Sequence, residues 1–428
     1  MDRRSFLTTS AGAVAAGSGL WLPQGAAAQS QPKRGGVLRV GMSSGSTDDS
    51  MDPRTWLDAN MYTIGFTTAN ALVELTPEKL PVPQLAESWE SSPDAKRWVF
   101  RIREGVEFHN GKTMTPADVV WSLKRHLADE SKSLAKGFLS AVTDIRADGQ
   151  NVIIEHATGD ADIPAILGVY QLVIIPEDWT DFSTIAGTGP YRQVSYEPGG
   201  RFVGERNPNY WKSDRGWFDR VEMTTIPDPQ AREQALIDGA VDAIDNVNFL
   251  TFDRYRDNPD FTALETKGGR FITMVMDVRS APFNDSNVRN AVKYAVARQD
   301  IIDKVIGYAV MGNDHPVPPS DPFFHTELPQ RPFDPKKARW RLRQAGIDRL
   351  NINLSVSETA FTGGVDTGIL MQDTAFLSGI DLNITREKDD GYWSNVWMKK
   401  PFVQSFWTLR PTPAMMYTVA FACGSPSA

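Results

Sequence analysis

The stretch RIREGVEFHNGKTMTPADVVWS, residues 101–122, carries the local signals that decide the fold of this chain. Its Asn110–Gly111 pair is typical of a tight turn, and the alternating residues before it predict a strand. A helix is predicted next, because Thr115 can cap it, a proline suits its first position and Asp118 places a carboxylate near the positive end of the helix dipole. The stretch therefore predicts a strand, a turn and a helix in direct succession.

Strand and helix signals continue to alternate outward from this stretch. The predicted strands are 35–41, 98–102, 151–156, a buried strand at 172–176, a strand pair around 194–196 and 202–204, a central strand at 271–276, 350–356 and 382–384. The predicted helices are 231–239, one capped by Asp285, 335–346 and 370–377. Helices that alternate with strands predict an α/β fold with mixed strands and more than one sheet.

The composition limits the possible functions. With 428 residues, 41% of them apolar and 23% charged, the chain is typical of a globular protein of about two to three domains. The formal net charge of −8 disfavours a nucleic-acid partner, because it offers no attractive field to phosphate groups. Cys423 is the only cysteine, which excludes an internal disulfide and a thiolate zinc site. The five histidines lack the paired spacing of metal ligands, so neither a metal nor a cofactor is expected.

Residues 1–28 predict a signal peptide. The pair Arg3–Arg4 is followed by a weakly apolar run that extends to Leu22, and three alanines at 26–28 suit a signal peptidase. The two arginines favour the twin-arginine export route, although a disordered tail that happens to contain them is the alternative. No cysteine stands at the cleavage position, so the mature protein is expected to be free in the periplasm.

Three collinear strings together resemble the extracytoplasmic solute-binding proteins of family 5, which serve importers of peptides, nickel and opines. The first string runs from LAESWE at 85–90 through the stretch 101–122. The second runs from GTGPY at 187–191 to ERNPNYW at 205–211. The third, at 277–291, contains DVR, APF and VRNA. One such string would be weak evidence, but three in the family's order make the resemblance specific.

The resemblance implies a two-lobed periplasmic-binding-protein fold of type II, with a hinge between the lobes and an extra subdomain on the first lobe. Carried onto this sequence, the core of lobe I falls at 35–50 and 184–266, the extra subdomain at 51–183 and lobe II at 267–428. In the family the chain crosses back to complete lobe I after lobe II is built. This sequence ends before such a return segment, so both lobes are expected to be incomplete and the sequence truncated.

The resemblance also implies a function and its partners. The chain is expected to capture a peptide or peptide-like solute between its lobes and to deliver it to the permease and ATPase subunits of an ABC transporter. It is expected to act as a monomer and not as an enzyme. A non-peptide solute, such as an opine, a sugar or another anion, is the alternative.

In the family, the ligand-facing residues of lobe II come from the late part of the sequence. Trp393, Trp397 and Trp407 occupy that region here, where they could form the walls of a cleft. A core cluster of lobe II is the alternative interpretation of the same three residues.

The sequence departs from the peptide-binding pattern just after Trp407. Where the family often has an aspartate that grips a peptide amine, this chain has Thr408 and, two positions on, Arg410. A guanidinium suits a carboxylate or a phosphate, which favours an acidic or amine-poor solute, although a surface ion pair is an equal alternative. Ser43 and Ser44 follow the first predicted strand and could bind a ligand, or they could belong to a plain loop.

A secreted serine hydrolase is the competing class of function. Residues 41–45 match the pattern G-x-S-x-G directly after a predicted strand, which would make Ser43 the nucleophile. The following residues, 46–53, are polar and rich in turn formers, whereas a nucleophile elbow leads into a helix. The match is therefore attributed to chance.

Overall fold

The computed structural model describes residues 32–421 apart from positions 267, 308, 313, 320, 322 and 409. The predicted signal peptide and Cys423 lie outside the described residues. The strands are β1 Val37–Met42, β2 Val73–Leu75, β3 Pro81–Pro83, β4 Ala86–Ser91, β5 Arg97–Ile102, β6 Val142–Asp148, β7 Asn151–His156, β8 Tyr191–Tyr196, β9 Arg201–Arg206, β10 Arg220–Thr225, β11 Ala243–Ile244, β12 Phe271–Met276, β13 Leu350–Val356, β14 Ile380–Arg386 and β15 Phe402–Trp407.

The helices alternate with these strands, which confirms the predicted α/β class. They are α1 Ala59–Thr68, α2 Pro116–Leu127, α3 Ala135–Phe138, α4 Ile163–Ile166, α5 Pro229–Ile237, α6 Phe249–Arg256, α7 Ser286–Ala295, α8 Arg298–Ile301, α9 Pro335–Gln344, α10 Gly364–Leu377, α11 Tyr392–Asn395 and α12 Pro413–Ala420. Within the described part of the chain, no helix has both the length and the apolar character needed to cross a membrane.

Three larger sheets organise the chain. A five-stranded sheet has the order β11-β1-β10-β9-β8, and an antiparallel four-stranded sheet has the order β4-β5-β7-β6. A second four-stranded sheet, β12-β15-β13-β14, is built only from strands after residue 270. The sheets draw on the ranges predicted for lobe I, its subdomain and lobe II, in that order. From Gly35 onward the described residues form one compact unit, so the division into lobes stays a prediction.

The helix predicted after Asn110–Gly111 is confirmed in detail. It is α2, and it begins with a capping box of Thr115 and Asp118, in which the Asp118 carboxylate accepts from the Thr115 backbone N–H at 2.8 Å. The Thr115 hydroxyl also donates to this carboxylate, at 2.7 Å. The backbone N–H of Glu177 donates to the same carboxylate at 2.7 Å. Asp118 therefore ties the start of α2 to a segment 59 residues later in the chain.

The buried strand predicted at 172–176 is wrong. A short 3-10 helix covers Tyr170–Leu172, and the following segment makes one isolated bridge, between Val173 and Ala71. The segment is as buried as predicted, with Ile174 fully inaccessible. Its backbone groups are satisfied without a ladder, because the Ile175 N–H donates to the hydroxyl of Ser122 at 3.1 Å. The Ser122 hydroxyl therefore accepts the hydrogen bond that the backbone of a neighbouring strand would otherwise accept.

The strand β12 is correctly located, but the prediction that it is central is wrong. Among the described residues it lies at the edge of its sheet and pairs only with β15, antiparallel, from Phe271 opposite Trp407 to Met276 opposite Phe402. All six of its residues are half-buried. Four of its apolar side chains pack against a core cluster that extends from β15 to many residues outside the sheet, which explains why an edge strand carries the composition of a central one.

The strings that predicted the fold meet at one junction. The backbone N–H of His109 donates to the carbonyl of Gly187 at 2.9 Å, and the side-chain amide of Asn207 donates to the carbonyl of Gly189 at 3.2 Å. The Gly189 N–H donates to the carbonyl of Thr68 at the end of α1, at 3.0 Å. The junction explains why the first two strings occur together, since each supplies part of one backbone crossing, while the third string, 277–291, lies elsewhere.

Candidate functional site

The loop after β1 meets the turn after β14, although more than 340 residues separate them in sequence. The Asp390 carboxylate accepts from the Thr47 N–H at 2.8 Å and from the Thr47 hydroxyl at 3.0 Å. The Ser46 hydroxyl donates to the same carboxylate at 3.3 Å and accepts from the Gly391 N–H at 3.2 Å. We call residues 46–49 with 390–394 the bridging contact. It joins the five-stranded sheet to the sheet that follows residue 270.

A further hydrogen bond completes the bridging contact. The hydroxyl of Ser394 donates to the carboxylate of Asp48. Asp390 and Asp48 are therefore both held by hydroxyl or amide donors, with no ion pair to either carboxylate among the described residues. These donors lower the pKa of Asp390, and the Thr47 N–H makes the largest contribution.

Ser43, a predicted ligand residue, is bonded within the five-stranded sheet. Its hydroxyl donates to the Asp245 carboxylate at 2.7 Å and accepts from the Asn246 side chain at 2.6 Å. None of the five histidines makes a hydrogen bond to Ser43, and the segment after Gly45 forms no helix until Pro53. Ser43 therefore lacks the base and the strand-to-helix turn that a hydrolase nucleophile needs.

Ser44 is buried beside Ser43, and its hydroxyl has no hydrogen-bond partner within the described residues. Gly45 follows with a φ of +154°, and a Cβ there would come within 2.5 Å of the Thr225 hydroxyl oxygen. The glycine is required because β10 packs directly against the loop. This close packing holds the bridging contact against the sheet.

Arg410 is buried, with 6% of the residue exposed, and no carboxylate of a described residue lies within ion-pair distance. Its guanidinium carbon lies 5.5 Å from the ring centre of Phe138 and 5.8 Å from that of Tyr170. Its Nε atom is buried without a hydrogen-bond partner. The predicted alternative, a surface ion pair, is therefore absent from the described residues. A buried guanidinium that forms no ion pair with a described residue has the chemistry to accept an anion.

Two tyrosines extend the aromatic surface around Arg410. The rings of Tyr62 and Tyr170 stack with their centres 3.7 Å apart. Burial raises the pKa of Tyr62 well above its usual value, even though the charge of Arg410 acts in the opposite direction. Tyr62 therefore stays protonated. The surroundings of Arg410 therefore combine its positive charge with the aromatic rings of Phe138, Tyr170 and Tyr62.

The space beside Arg410 is small. A cavity of about 10 Å³ is lined by side chains that include Val317, Asp321, Thr412 and Met416. This is about the volume that one water molecule needs. A larger solute could reach Arg410 only if the walls moved apart.

The three predicted cleft tryptophans pack mainly on one another. Trp397 contacts Trp393 and Trp407 edge to face, with ring centres 6.2 and 5.7 Å apart. Trp397 and Trp407 are 8% and 7% exposed, so both belong to a buried cluster. Trp393 is half-buried, and its indole N–H has no hydrogen-bond partner. Of the three, Trp393, in α11, is the most exposed, while Thr408 is half-buried directly after β15.

Two further carboxylates lie at the bridging contact, the half-buried Asp49 within it and the buried Asp58 at the start of α1. Asp58 caps α1 and accepts from the Met61 N–H at 3.0 Å, while Asp49 accepts from the Ser46 N–H at 2.8 Å. Burial, followed by the charge of Asp58, raises the pKa of Asp49 to about 8. Burial likewise raises the pKa of Asp58 to about 6. Among the described residues, no group of three or more His, Cys, Asp or Glu side chains is arranged to hold a metal ion.

The sequence identified Arg410 but not the residues around it. Tyr62, Tyr170 and Phe138 come from three separated segments, and each looks like an ordinary core residue in its local pattern. Asp390 was likewise missed, although it precedes a glycine with a φ of +72°, which is a signal for a sharp turn. Residues that come together only in the tertiary fold cannot be recognised from the local sequence pattern.

Comparison with known proteins identifies the relatives of this chain. The family model of the bacterial extracellular solute-binding proteins, family 5, middle region, matches residues 81–428. The heme-binding protein A of Haemophilus influenzae is 30% identical over 309 residues, which are 65% of this chain and 56% of that protein. The nickel-binding periplasmic protein of Escherichia coli is 26% identical over 290 residues, or 64% of this chain and 55% of that protein. The chain thus spans about half the length of these curated relatives.

Solved structures share the fold. A periplasmic binding protein from Helicobacter pylori in complex with the peptide STSA aligns with a TM-score of 0.81 and 22% identity, over 90% of this chain and 81% of that one. A binding protein from A. tumefaciens R10 in complex with agropinic acid also gives a TM-score of 0.81, with 24% identity over 89% of this chain and 79% of that one. At these identities the likeness concerns the fold alone.

Proposed function

The chain belongs to family 5 of the bacterial extracellular solute-binding proteins, and from this premise we propose that it is the substrate-binding component of an ABC importer. After export to the periplasm it would capture a small solute between its two lobes and present it to a permease and its ATPase. The closed form is the one that the membrane partner would recognise, so the solute acts by shifting the population toward closure.

The observation that carries the proposal is the environment of Arg410. Its guanidinium is buried, faces Phe138 and Tyr170, and meets no carboxylate among the described residues. A buried charge is costly unless it is paired, and the missing partner is best supplied by the solute. We therefore propose that the solute carries a carboxylate or a similar anionic group that Arg410 binds through its two terminal nitrogens.

Two solute classes satisfy this requirement. A peptide or peptide-like solute offers its terminal carboxylate, and the Helicobacter pylori structure holds a peptide. An opine offers a carboxylate without needing an acidic partner for a free amine, and the A. tumefaciens protein holds agropinic acid. The sequence has Thr408 at the position after Trp407 where the resemblance implies an aspartate, with Arg410 two positions further on, and this departure favours the second class.

A thermal-shift screen tests the proposal. The panel contains short peptides, the same peptides amidated at the C-terminus, N-acetylated peptides, opines and neutral oligosaccharides. We expect a rise in melting temperature with one or more carboxylate-bearing members and no rise with their amidated forms, because a bound ligand stabilises the native state. If N-acetylation leaves the shift intact, a free amine is not needed and an opine-like solute is favoured.

Arg410→Gln is the variant that links the shift to the site. We expect it to abolish the ligand-dependent shift, whereas Arg279→Gln, which removes an exposed guanidinium paired with Asp277 at 2.8 Å, keeps it. A shift that survives Arg410→Gln would refute the role of Arg410 while retaining a binding function. A panel that gives no shift, or a solute that is recovered cleaved, would count against the binding function itself.

A further inference from the structure

Helices α7 and α9 concentrate positive charge in a chain whose formal net charge is −8. The two helices pack against each other and together contain seven lysines and arginines and no acidic residue. Arg289 and Lys293 lie on α7, and the other five cations lie on α9. Of the seven, only Lys337 lies within ion-pair distance of a carboxylate of a described residue, at 4.0 Å from Asp334. The remaining six are therefore not neutralised by an ion pair within the described part of the chain.

One side of α9 is both basic and open to solvent. Four exposed residues at the spacing i, i+3, i+4 and i+7 share this side of the helix, namely Lys336, Arg339, Trp340 and Arg343. On the opposite side, Ala338 and Leu342 are fully buried, and Leu342 belongs to the core of the sheet that follows residue 270. This packing fixes the orientation of α9, so its basic side stays turned outward.

Apolar side chains are exposed beside these cations. The guanidinium of Arg339 donates to the carbonyl of Leu377 at the end of α10, and the guanidinium carbon of Arg349 lies 4.6 Å from the ring centre of Phe376. Phe376 and Leu377 are nevertheless 61% and 56% exposed, and Trp340 is 46% exposed. Large apolar residues that are exposed as a group mark an interaction surface. We call α9 with residues 376 and 377 the basic surface.

The acidic residues that adjoin the basic surface do not cancel its charge. They are Asp285 and Asp334, which cap α7 and α9, Asp348 and Asp373, which are exposed, and Asp381, which pairs with Arg349. Eight cations, those of α7 and α9 together with Arg349, lie beside these five acids. This region therefore keeps a positive balance although the chain as a whole is acidic, and it attracts an anionic partner.

We propose that the basic surface docks the chain onto a bilayer that carries anionic phospholipid headgroups. The lysines and arginines lie at the level of the headgroups, while Trp340, Phe376 and Leu377 enter the boundary with the acyl chains. An acidic protein surface also matches the cations, but it gives no reason for the exposed apolar side chains among them. The proposal goes beyond solute capture and does not depend on which solute is bound, since it concerns how the chain is held near a membrane.

Co-sedimentation of the whole chain with lipid vesicles tests the proposal. We expect binding to vesicles of phosphatidylcholine with phosphatidylglycerol, little binding to phosphatidylcholine alone, and weaker binding as the salt concentration rises, because salt screens surface charges. Lys336→Gln combined with Arg343→Gln should lower the affinity for the anionic vesicles at least about tenfold, since each cation near such a surface is worth about fivefold. Residues 1–28 are the same in every variant, so any affinity of their own cancels in the comparison.

Lys132→Gln combined with Arg254→Gln is the matched control, because it removes the same two charge types from exposed positions elsewhere in the chain, and it should bind as the wild type does. Trp340→Ala should lower the affinity about threefold or more, because it removes apolar area that the bilayer buries. The proposal is overturned if neutral and anionic vesicles bind the chain equally, if the double variant of α9 binds as the wild type does, or if the control loses as much affinity as that variant. An unchanged affinity of Trp340→Ala would overturn the bilayer as the partner and favour an acidic protein surface.

Discussion

The carboxylate of Asp118 accepts hydrogen bonds that hold the start of α2 against two other segments of the chain. It is fully buried and accepts from Thr115, from the Glu177 N–H and from the ammonium of Lys112. Burial alone would raise the pKa of Asp118, but these donors outweigh burial and lower it. We expect Asp118→Ala to reduce the free energy of unfolding at neutral pH by about 2–4 kcal/mol, measured by urea denaturation, because it orphans several buried donors.

The pH dependence of this loss follows from the direction of the shift. The folded pKa of Asp118 is lowered, so its contribution is complete above the unfolded pKa of about 3.9 and is lost as the pH falls through the folded pKa. The difference between wild type and Asp118→Ala should therefore shrink as the pH falls below the unfolded pKa. Asp148→Ala, an exposed control, should change stability by less than about 0.5 kcal/mol. A difference that is constant with pH would show that packing, and not the charge, explains the loss.

Residue-scale prediction from sequence succeeded where the chemistry is local. Thr115 and Asp118 lie three positions apart, and their local pattern was sufficient to predict the cap and the favourable carboxylate at the start of α2, although not the bonds between them. Arg410 is different, because its partners Tyr170 and Phe138 lie more than 200 positions away and its burial depends on them. The residue type indicated an anion site, but only the fold shows that the guanidinium is unpaired.

At the scale of elements, the close contact between the segment 187–191 and the end of α1 should tolerate no added atom. A Cβ at Gly189 would lie 2.4 Å from the carbonyl carbon of Thr68 and 2.6 Å from the N atom of Ala69, both in the backbone. We expect Gly189→Ala to lower the free energy of unfolding by about 3 kcal/mol or more, because backbone atoms cannot move aside as side-chain tips do.

Gly137→Ala is the matched control for this prediction. A Cβ there would make an ordinary contact of 3.7 Å with a methyl group of Thr418, and Gly137 lies in α3. Alanine is favoured over glycine in a helix by about 1 kcal/mol, so this variant should be neutral or stabilised. Equal melting temperatures for the two variants would contradict the steric explanation.

Elements were predictable from sequence when their pattern and their surroundings agree. β7 and β13 were predicted with the bounds that the structure shows, since alternating or continuous apolar residues coincide there with real neighbours on both sides. The segment 172–176 and the strand β12 have the same apolar composition, but their burial comes from contacts outside a sheet. Apolar composition predicts that a segment is buried, but it does not predict which element packs against that segment.

At the scale of the whole molecule, the bridging contact joins the two sheets, and only a small cavity of about 10 Å³ lies beside Arg410 among the described residues. If Arg410 binds the solute as proposed, the elements around it must separate for the solute to enter. The bridging contact is made of hydrogen bonds through Ser46, Thr47 and Ser394, with carboxylates as acceptors. Such exposed polar bonds form and break at little net cost, which suits a contact that must reopen.

The stability of the whole chain should therefore depend on pH through two sets of groups, whose shifted pKa values have opposite effects on stability. Burial lowers the pKa of His126 to about 3 and that of His109 to about 4, so the unfolded chain binds more protons than the native one below about pH 6.5. These histidines make stability fall as the pH falls below that value. Asp49 and Asp58 act in the opposite direction, because their raised pKa values let the native chain bind more protons than the unfolded one. Between about pH 4 and about pH 6 the two pairs largely cancel.

Above about pH 7.5, where the unfolded histidines have lost their protons, Asp49 is the main group of these four that still titrates, up to its folded pKa of about 8. We expect the wild-type melting temperature, followed by circular dichroism, to decrease between about pH 7 and about pH 8.5 by about 1 °C. In Asp49→Asn the decrease should vanish, and an increase from about pH 5 to about pH 6.5 should appear, because the histidines are then opposed by Asp58 alone. Parallel curves for wild type and variant would show that Asp49 is not the titrating group. Asp49→Asn should also be more stable than the wild type in alkali, because it removes a carboxylate that has no cationic partner among the described residues of the native chain.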